Sequence, residues 1–191
     1  MKDPQKDILA FWFEKTQPAQ WFQVNPDFDA EIAERYADAY DLGARGVYDD
    51  WKTDSDGCLA LCILLDQFPR NMFRGQAQAF ATDALALAAA KRAVAEGWDL
   101  DAPEPERQFF YLPYEHSEDP ADQAAAVRLI GERLPETGAE TLLHARAHQA
   151  IIARFGRFPF RNAALGREDT AAEAAFLAEG GYAAEVRRLS G

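Results

Sequence analysis

The sequence predicts an all-α fold, and three observations lead there. Helix-starting signals recur along the chain: Asp3-Pro4, Asn25-Pro26 and Asp119-Pro120 each set an N-capping side chain before a proline at the first helical position, where the missing N–H costs nothing. Segments such as residues 77–96 are rich in Ala and Leu, both strong helix formers. Strand signals, by contrast, do not recur.

Taken in order, Asp3-Pro4 opens a helix of about twelve residues and Asn25-Pro26 one of about twenty, lengths ordinary for a globular protein. In the second, Phe28, Ile32, Tyr36 and Tyr40 recur every four residues and form one buried stripe. Residues 57–68 are almost wholly apolar and carry no amphipathic period, which places them at the centre of the fold, with Pro69 expected to close the helix. A strand can also be written there, but the length and the Ala/Leu content favour a helix. Residues 77–96 form the next helix, capped by Gly97. Residues 105–116 hold Phe109-Phe110-Tyr111, with Pro113 ending or kinking the helix. The helix opened by Asp119-Pro120 stops near Leu134, because Pro135 cannot continue it. Thr137 with Glu140 has capping-box spacing for a helix running into Phe155-Gly156, and Thr170 with Glu173 repeats that spacing for a short last helix. No linker rich in Gly, Ser or Pro divides the chain and no 34-residue consensus repeats, so residues 1–191 are expected to form one domain.

Thirty-two acidic against twenty basic residues give a net charge of −12, which repels nucleic acid and anionic membrane over most of the surface. No run of about 18 apolar residues is long enough to cross a bilayer, and the N-terminus has no apolar leader stretch, so a cytoplasmic location is expected. Cys58 and Cys62 match neither a redox pair nor a zinc framework and read as buried thiols. A nucleophile elbow, a phosphate loop and a dinucleotide fingerprint are all missing from the sequence, and no cofactor is expected.

The residues that can carry chemistry cluster at helix exits. Arg154, Arg157, Arg161 and Arg167 reverse the local charge of an acidic protein, and Arg70 and Arg74 follow the central helix. Each guanidinium offers a planar fork suited to carboxylate or phosphate. They form an anion pocket, or they brace loops by pairing with Asp66, Glu115 or Glu118. Asp66, near a helix C-terminus, opposes the dipole by roughly 0.3 to 1 kcal/mol and needs a partner, either Arg70 or an arginine of the 157–161 loop. His144 and His148 fall within the arc of about 100° spanned by Ile151, Ile152 and Phe155, so they face inward or toward a cleft. Residue 145 is Ala, so the His-Glu-x-x-His metal pattern is missing and no metal site is expected. Tyr114-Glu115-His116-Ser117-Glu118 is a second polar cluster, in which a carboxylate beside an imidazole suits general acid–base work. Phe11-Trp12-Phe13 and Trp21-Phe22 either line a pocket wall or pack the core, and core packing is the simpler reading.

The motifs Phe11-Trp12-Phe13, Leu64-Leu65-Asp66-Gln67-Phe68-Pro69-Arg70-Asn71, Leu112-Pro113-Tyr114-Glu115-His116-Ser117-Glu118, and His148 with the stretch 155–167 resemble the family known as domain of unknown function 924, over about residues 7–178. The resemblance implies antiparallel helix pairs packed like tetratricopeptide-repeat proteins, and it implies no reaction. Members often carry His where this chain has Phe160. The expectation is a pocket for a small anionic metabolite, drawn from Asp66, Arg70, Asn71, Glu115, Glu118, Arg157, Arg161 and Asn162. His116 or His148 is its acid–base group, without metal. The alternative is a helical module that binds a peptide or protein partner, its polar motifs serving only as braces. The sequence sets no oligomeric state.

Overall fold

The structure, a computed structural model, describes residues 3–191 and is all-helical, with no strand among them. Its contacts group into two compact units, Met1–Pro113 and Tyr114–Gly191, each considered by itself.

In the first unit, Asp3 caps helix α1 (Pro4–Ala10), which widens into a π-turn at Phe11–Lys15. The Trp12 carbonyl accepts hydrogen bonds from Thr16 Oγ1 (2.5 Å) and Trp21 Nε1 (3.0 Å). Helix α2 (Pro26–Ala44) is capped by Asn25, whose side chain accepts from the N–H of Asp27 and Phe28. It buries Phe28, Ile32, Tyr36 and Tyr40, the predicted stripe. Phe11, Trp12, Phe28, Tyr36 and Phe68 interlock as an aromatic core, with Tyr36 and Phe68 ring centroids 4.6 Å apart.

Pro69 does not close the central helix. Helix α3 (Ser55–Cys62) passes through a π-turn (Ile63–Gln67) directly into helix α4 (Phe68–Met72). A proline inside a helix strands the carbonyl four residues earlier and crowds it with its ring. The π-turn opens the ladder there, with the Phe68 N–H reaching back to the Ile63 carbonyl. The stranded Leu65 carbonyl takes a hydrogen bond from Thr82 Oγ1 at 2.6 Å, and the Asp66 carbonyl takes one from Arg70 Nη1 at 2.6 Å. Nor are residues 77–96 one helix. Ala77–Phe80 is a 3₁₀ turn, and helix α5 (Asp83–Glu96) begins only after Thr82, ending at Gly97 in the left-handed region. The aromatic run is likewise a 3₁₀ turn (Glu106–Phe110), after which the chain passes into the second unit within the short helix α6 (Leu112–Glu115).

In the second unit, Asp119 caps helix α7 (Pro120–Arg133), which packs against helix α8 (Ala139–Phe155) as a consecutive pair. The Thr137–Glu140 box does not form; the N-cap of α8 is Gly138, which offers no side-chain cap. A Cβ on residue 138 would lie 2.5 Å from both Cβ and the carbonyl oxygen of Leu134, so the tight turn demands glycine there. After the short helix α9 (Asn162–Leu165), the Thr170–Glu173 box does form and opens helix α10 (Ala171–Ala178). That helix is not the last. Gly180 and Gly181, both at positive φ, turn the chain into helix α11 (Gly181–Ser190), which lies on α8. Ile151, Ile152, Phe158 and Phe176 form the core of this unit, with Phe155, Leu177 and Tyr182 packed on it. Among the described residues no helix is long and apolar enough to cross a membrane.

Candidate functional site around Glu115 and His148

The segment that carries Glu115 is pinned from beneath by a side chain the sequence reading passed over. Gln123, fully buried on α7, donates its amide N–H groups to the carbonyls of Glu115 (2.6 Å) and Ser117 (2.7 Å), with that of Tyr114 at 3.3 Å. Ser117 Oγ donates to Asp122 Oδ2 at 2.8 Å. The segment therefore has a fixed course, and it delivers the Glu115 carboxylate into the interior with 1 % of the residue exposed.

Facing it is one side of α8. His144 and His148, four residues apart, project together as helical spacing requires. His148 Nδ1 lies 3.2 Å from Glu115 Oε2. The imidazole is packed edge-on against Phe158 (5.2 Å between centroids), near His116 (6.1 Å), and stacked on Tyr182 of α11 (4.8 Å, 20° between planes). The Tyr182 hydroxyl is hydrogen-bonded to His144 Nδ1. Burial, and next the charge of Glu115, push the Tyr182 pKa up, so it stays a phenol at neutral pH. A carboxylate on Nδ1 selects the Nδ1–H form of His148 and makes Nε2 the nitrogen that can accept or release a proton, the arrangement general acid–base work needs.

The arginines of the following loop divide into braces and one further cation. Arg157 forks onto Glu173 through Nε (2.6 Å) and Nη2 (2.7 Å), and Nη2 also meets the Glu168 carbonyl at 2.8 Å. The Arg157 hydrogen bond, joined by the Thr170 N–H, holds the Glu173 carboxyl far below its ordinary range. Glu118 is held by Arg167 (2.8 and 3.0 Å) and by the Phe158 N–H (2.8 Å). Burial pushes the Glu118 pKa up, but those hydrogen bonds with the charges of Arg167 and Arg161 bring it below normal. Arg161, 6 % exposed, lays its guanidinium 4.5 Å over the Phe158 ring, the same ring that His148 packs against. Asn162 donates to Asp169 Oδ1 at 2.7 Å, while its own Oδ1 is buried without a hydrogen-bond partner.

Asp66, Arg70 and Asn71 belong to the first unit and are engaged there. Arg70 grips Asp83 (2.9 and 3.0 Å) and reaches Asp66 Oδ1 at 3.1 Å, so their i,i+4 geometry survives Pro69. Asn71 donates to Asp29 at 2.7 Å, beside Arg74, which forks onto the same carboxylate. In the same unit, a groove of about 570 Å³ is lined by Gln123, Val127, Arg146, Gln149, Ala150 and Leu189 among others, and includes none of the predicted site residues. Among the described residues, no group of three or more His, Cys, Asp or Glu side chains is placed to hold a metal ion.

An all-helical protein with a buried carboxylate on an inward imidazole is the class these features define. The chain belongs to the family described as bacterial protein of unknown function (DUF924), whose model matches residues 8–181. It is similar to a solved structure, a protein of unknown function, ATU0120, from Agrobacterium tumefaciens: 44% identity, 92% of this chain and 97% of that one covered, and a TM-score of 0.86. No curated protein sequence matches it.

Proposed function

We propose that the second unit binds a small anionic metabolite beside His148, and that His148, oriented by Glu115, is an acid–base group acting on it without a metal or cofactor. The observation that carries this reading is the Glu115–His148 contact: a carboxylate with 1 % exposure, 3.2 Å from Nδ1 of an inward imidazole. Burying a carboxylate is costly unless it is hydrogen-bonded, and a charged group kept there at that cost is a hallmark of working sites. Arg161 is the loop arginine assigned to the ligand, because its guanidinium lies over the Phe158 ring that His148 packs against. We also propose a cytoplasmic setting, in which Cys58 and Cys62, both buried free thiols, stay reduced.

The test is a melting-temperature screen of the protein against small carboxylates and phosphates, repeated with Glu115→Gln, His148→Gln and Arg161→Lys. A compound at 100 times its Kd adds about 2.7 kcal/mol to the parent. The reading expects that gain to shrink in all three variants. A compound that stabilises parent and variants alike contradicts it. A second reading, an interaction module whose polar motifs brace turns, is favoured by a different observation, the forks of Arg157 and Arg167 closed on carboxylates of their own unit. A screen in which no compound shifts the parent turns the search to that reading.

A further inference from the structure

Tyr182 lies beyond the stretch matched by the family model, and the sequence reading did not single it out, yet it touches both histidines of α8. Its ring stacks on His148 at 4.8 Å and 20°, and on His144 at 5.8 Å and 27°. Its hydroxyl is hydrogen-bonded to His144 Nδ1. A ring placed between two imidazoles one helical turn apart is constrained by both. The hydroxyl fixes where the ring sits along α8, and the ring face fixes the tilt of His148. Offset stacks of this kind contribute beyond simple burial and favour one ring orientation over its alternatives. The chain reaches this point only because Gly180 (φ 105°) and Gly181 (φ 54°) take conformations other residues rarely adopt. They deliver the first turn of α11 onto the His144–His148 face. Tyr182 and Phe160 (5.7 Å) together with Phe158 surround the imidazole with aromatic rings, while Glu115 reaches Nδ1.

We infer that Tyr182, anchored by His144, is a positioning residue that holds the His148 ring in line with Glu115. The inference rests on the Glu115–His148 reading above, but its test needs no ligand. The chain has three histidines, so ring-¹⁵N spectra of histidine-labelled protein can be assigned by replacing each in turn. A ring held as one tautomer gives two well-separated nitrogen resonances; a ring free to exchange tautomers gives merged, averaged ones. The parent should show the separated pair for His148. Tyr182→Phe keeps the stack and removes the anchor; it should shift the His144 Nδ1 resonance and narrow the His148 pair. His144→Gln should narrow the His148 pair similarly. Tyr182→Leu, which removes both stack and anchor, should merge it. Tyr40→Phe, in the other unit, should change neither histidine. An unchanged His148 pair in Tyr182→Phe overturns the inference, and because that variant is nearly isosteric the result does not depend on Tyr182→Leu folding. A compound that stabilises the parent and Glu115→Gln alike, with these spectra behaving as expected, would instead count against the proposed function alone.

Discussion

Replacing Gln123 by Leu tests whether the segment bearing Glu115 is held by the one amide that underlies it. The side chains are similar in volume, so packing changes little, but the carbonyls of Glu115 and Ser117 lose donors at 2.6 and 2.7 Å. A buried polar group left unsatisfied costs about 1–3 kcal/mol. Two such groups set a range of about 2–6 kcal/mol, and the apolar gain from Leu and partial relaxation of the segment favour its lower half, about 3 kcal/mol. For a chain of this size that lowers Tm by roughly 6–12 °C. Circular dichroism melts are the assay, because all four tryptophans lie in the first unit and their fluorescence would not follow α7. Arg128→Ala on the same helix, which removes only an exposed pair with Glu132, is the control and should stay within about 0.5 kcal/mol of the parent. A Gln123→Leu melt indistinguishable from that control would mean that the amide does not hold the segment.

Three further outcomes are expected. Thr82→Val removes the hydroxyl that serves the Leu65 carbonyl beside Pro69 and should destabilise by about 1–3 kcal/mol in urea titrations, whereas Thr82→Ser should stay close to the parent. Glu118 is held below its ordinary pKa, so its stabilising contribution is complete above the unfolded value near 4.3 and is lost as pH falls through the lower folded value. Melts between pH 6 and 3 should therefore fall less steeply in Glu118→Gln. Burial, with Asp54 adding to it, raises the Cys58 pKa to about 11, and burial drives that of Cys62 well above normal. Neither thiol should react with a thiol reagent at pH 7 until the first unit is unfolded, and fast labelling of the native protein would contradict their placement.

What the sequence made legible was local chemistry. Asn25, Asp119 and Thr170 cap the helices their spacing announces, and the Phe28–Tyr40 stripe is buried, because caps and periodicity depend on neighbours a few residues away. The pairing of Asp66 with Arg70 was readable for the same reason. What escaped depended on partners far along the chain. Thr82 serves the stranded Leu65 carbonyl across 17 residues, Glu173 captures Arg157 across 16, and Tyr182 meets His144 across 38. Gly138 is demanded by the approach of Leu134, which overrides the Thr137–Glu140 spacing. Of the site, Glu115, His148 and Arg161 were named from composition and resemblance, but their roles were not ordered. Gln123 carried no signal beyond being an amide on a buried helix face.

The proposed chemistry at His148 depends on Glu115 setting the protonation form of the imidazole. The most direct measurement is the ring-¹⁵N spectrum of His148 near neutral pH in the parent and in Glu115→Met, which keeps the volume and removes the acceptor. A proton fixed on Nδ1 is expected in the parent and an averaged pair of tautomers in the variant. A His148 with its proton on Nε2 in the parent, or a spectrum unchanged by Glu115→Met, would contradict it.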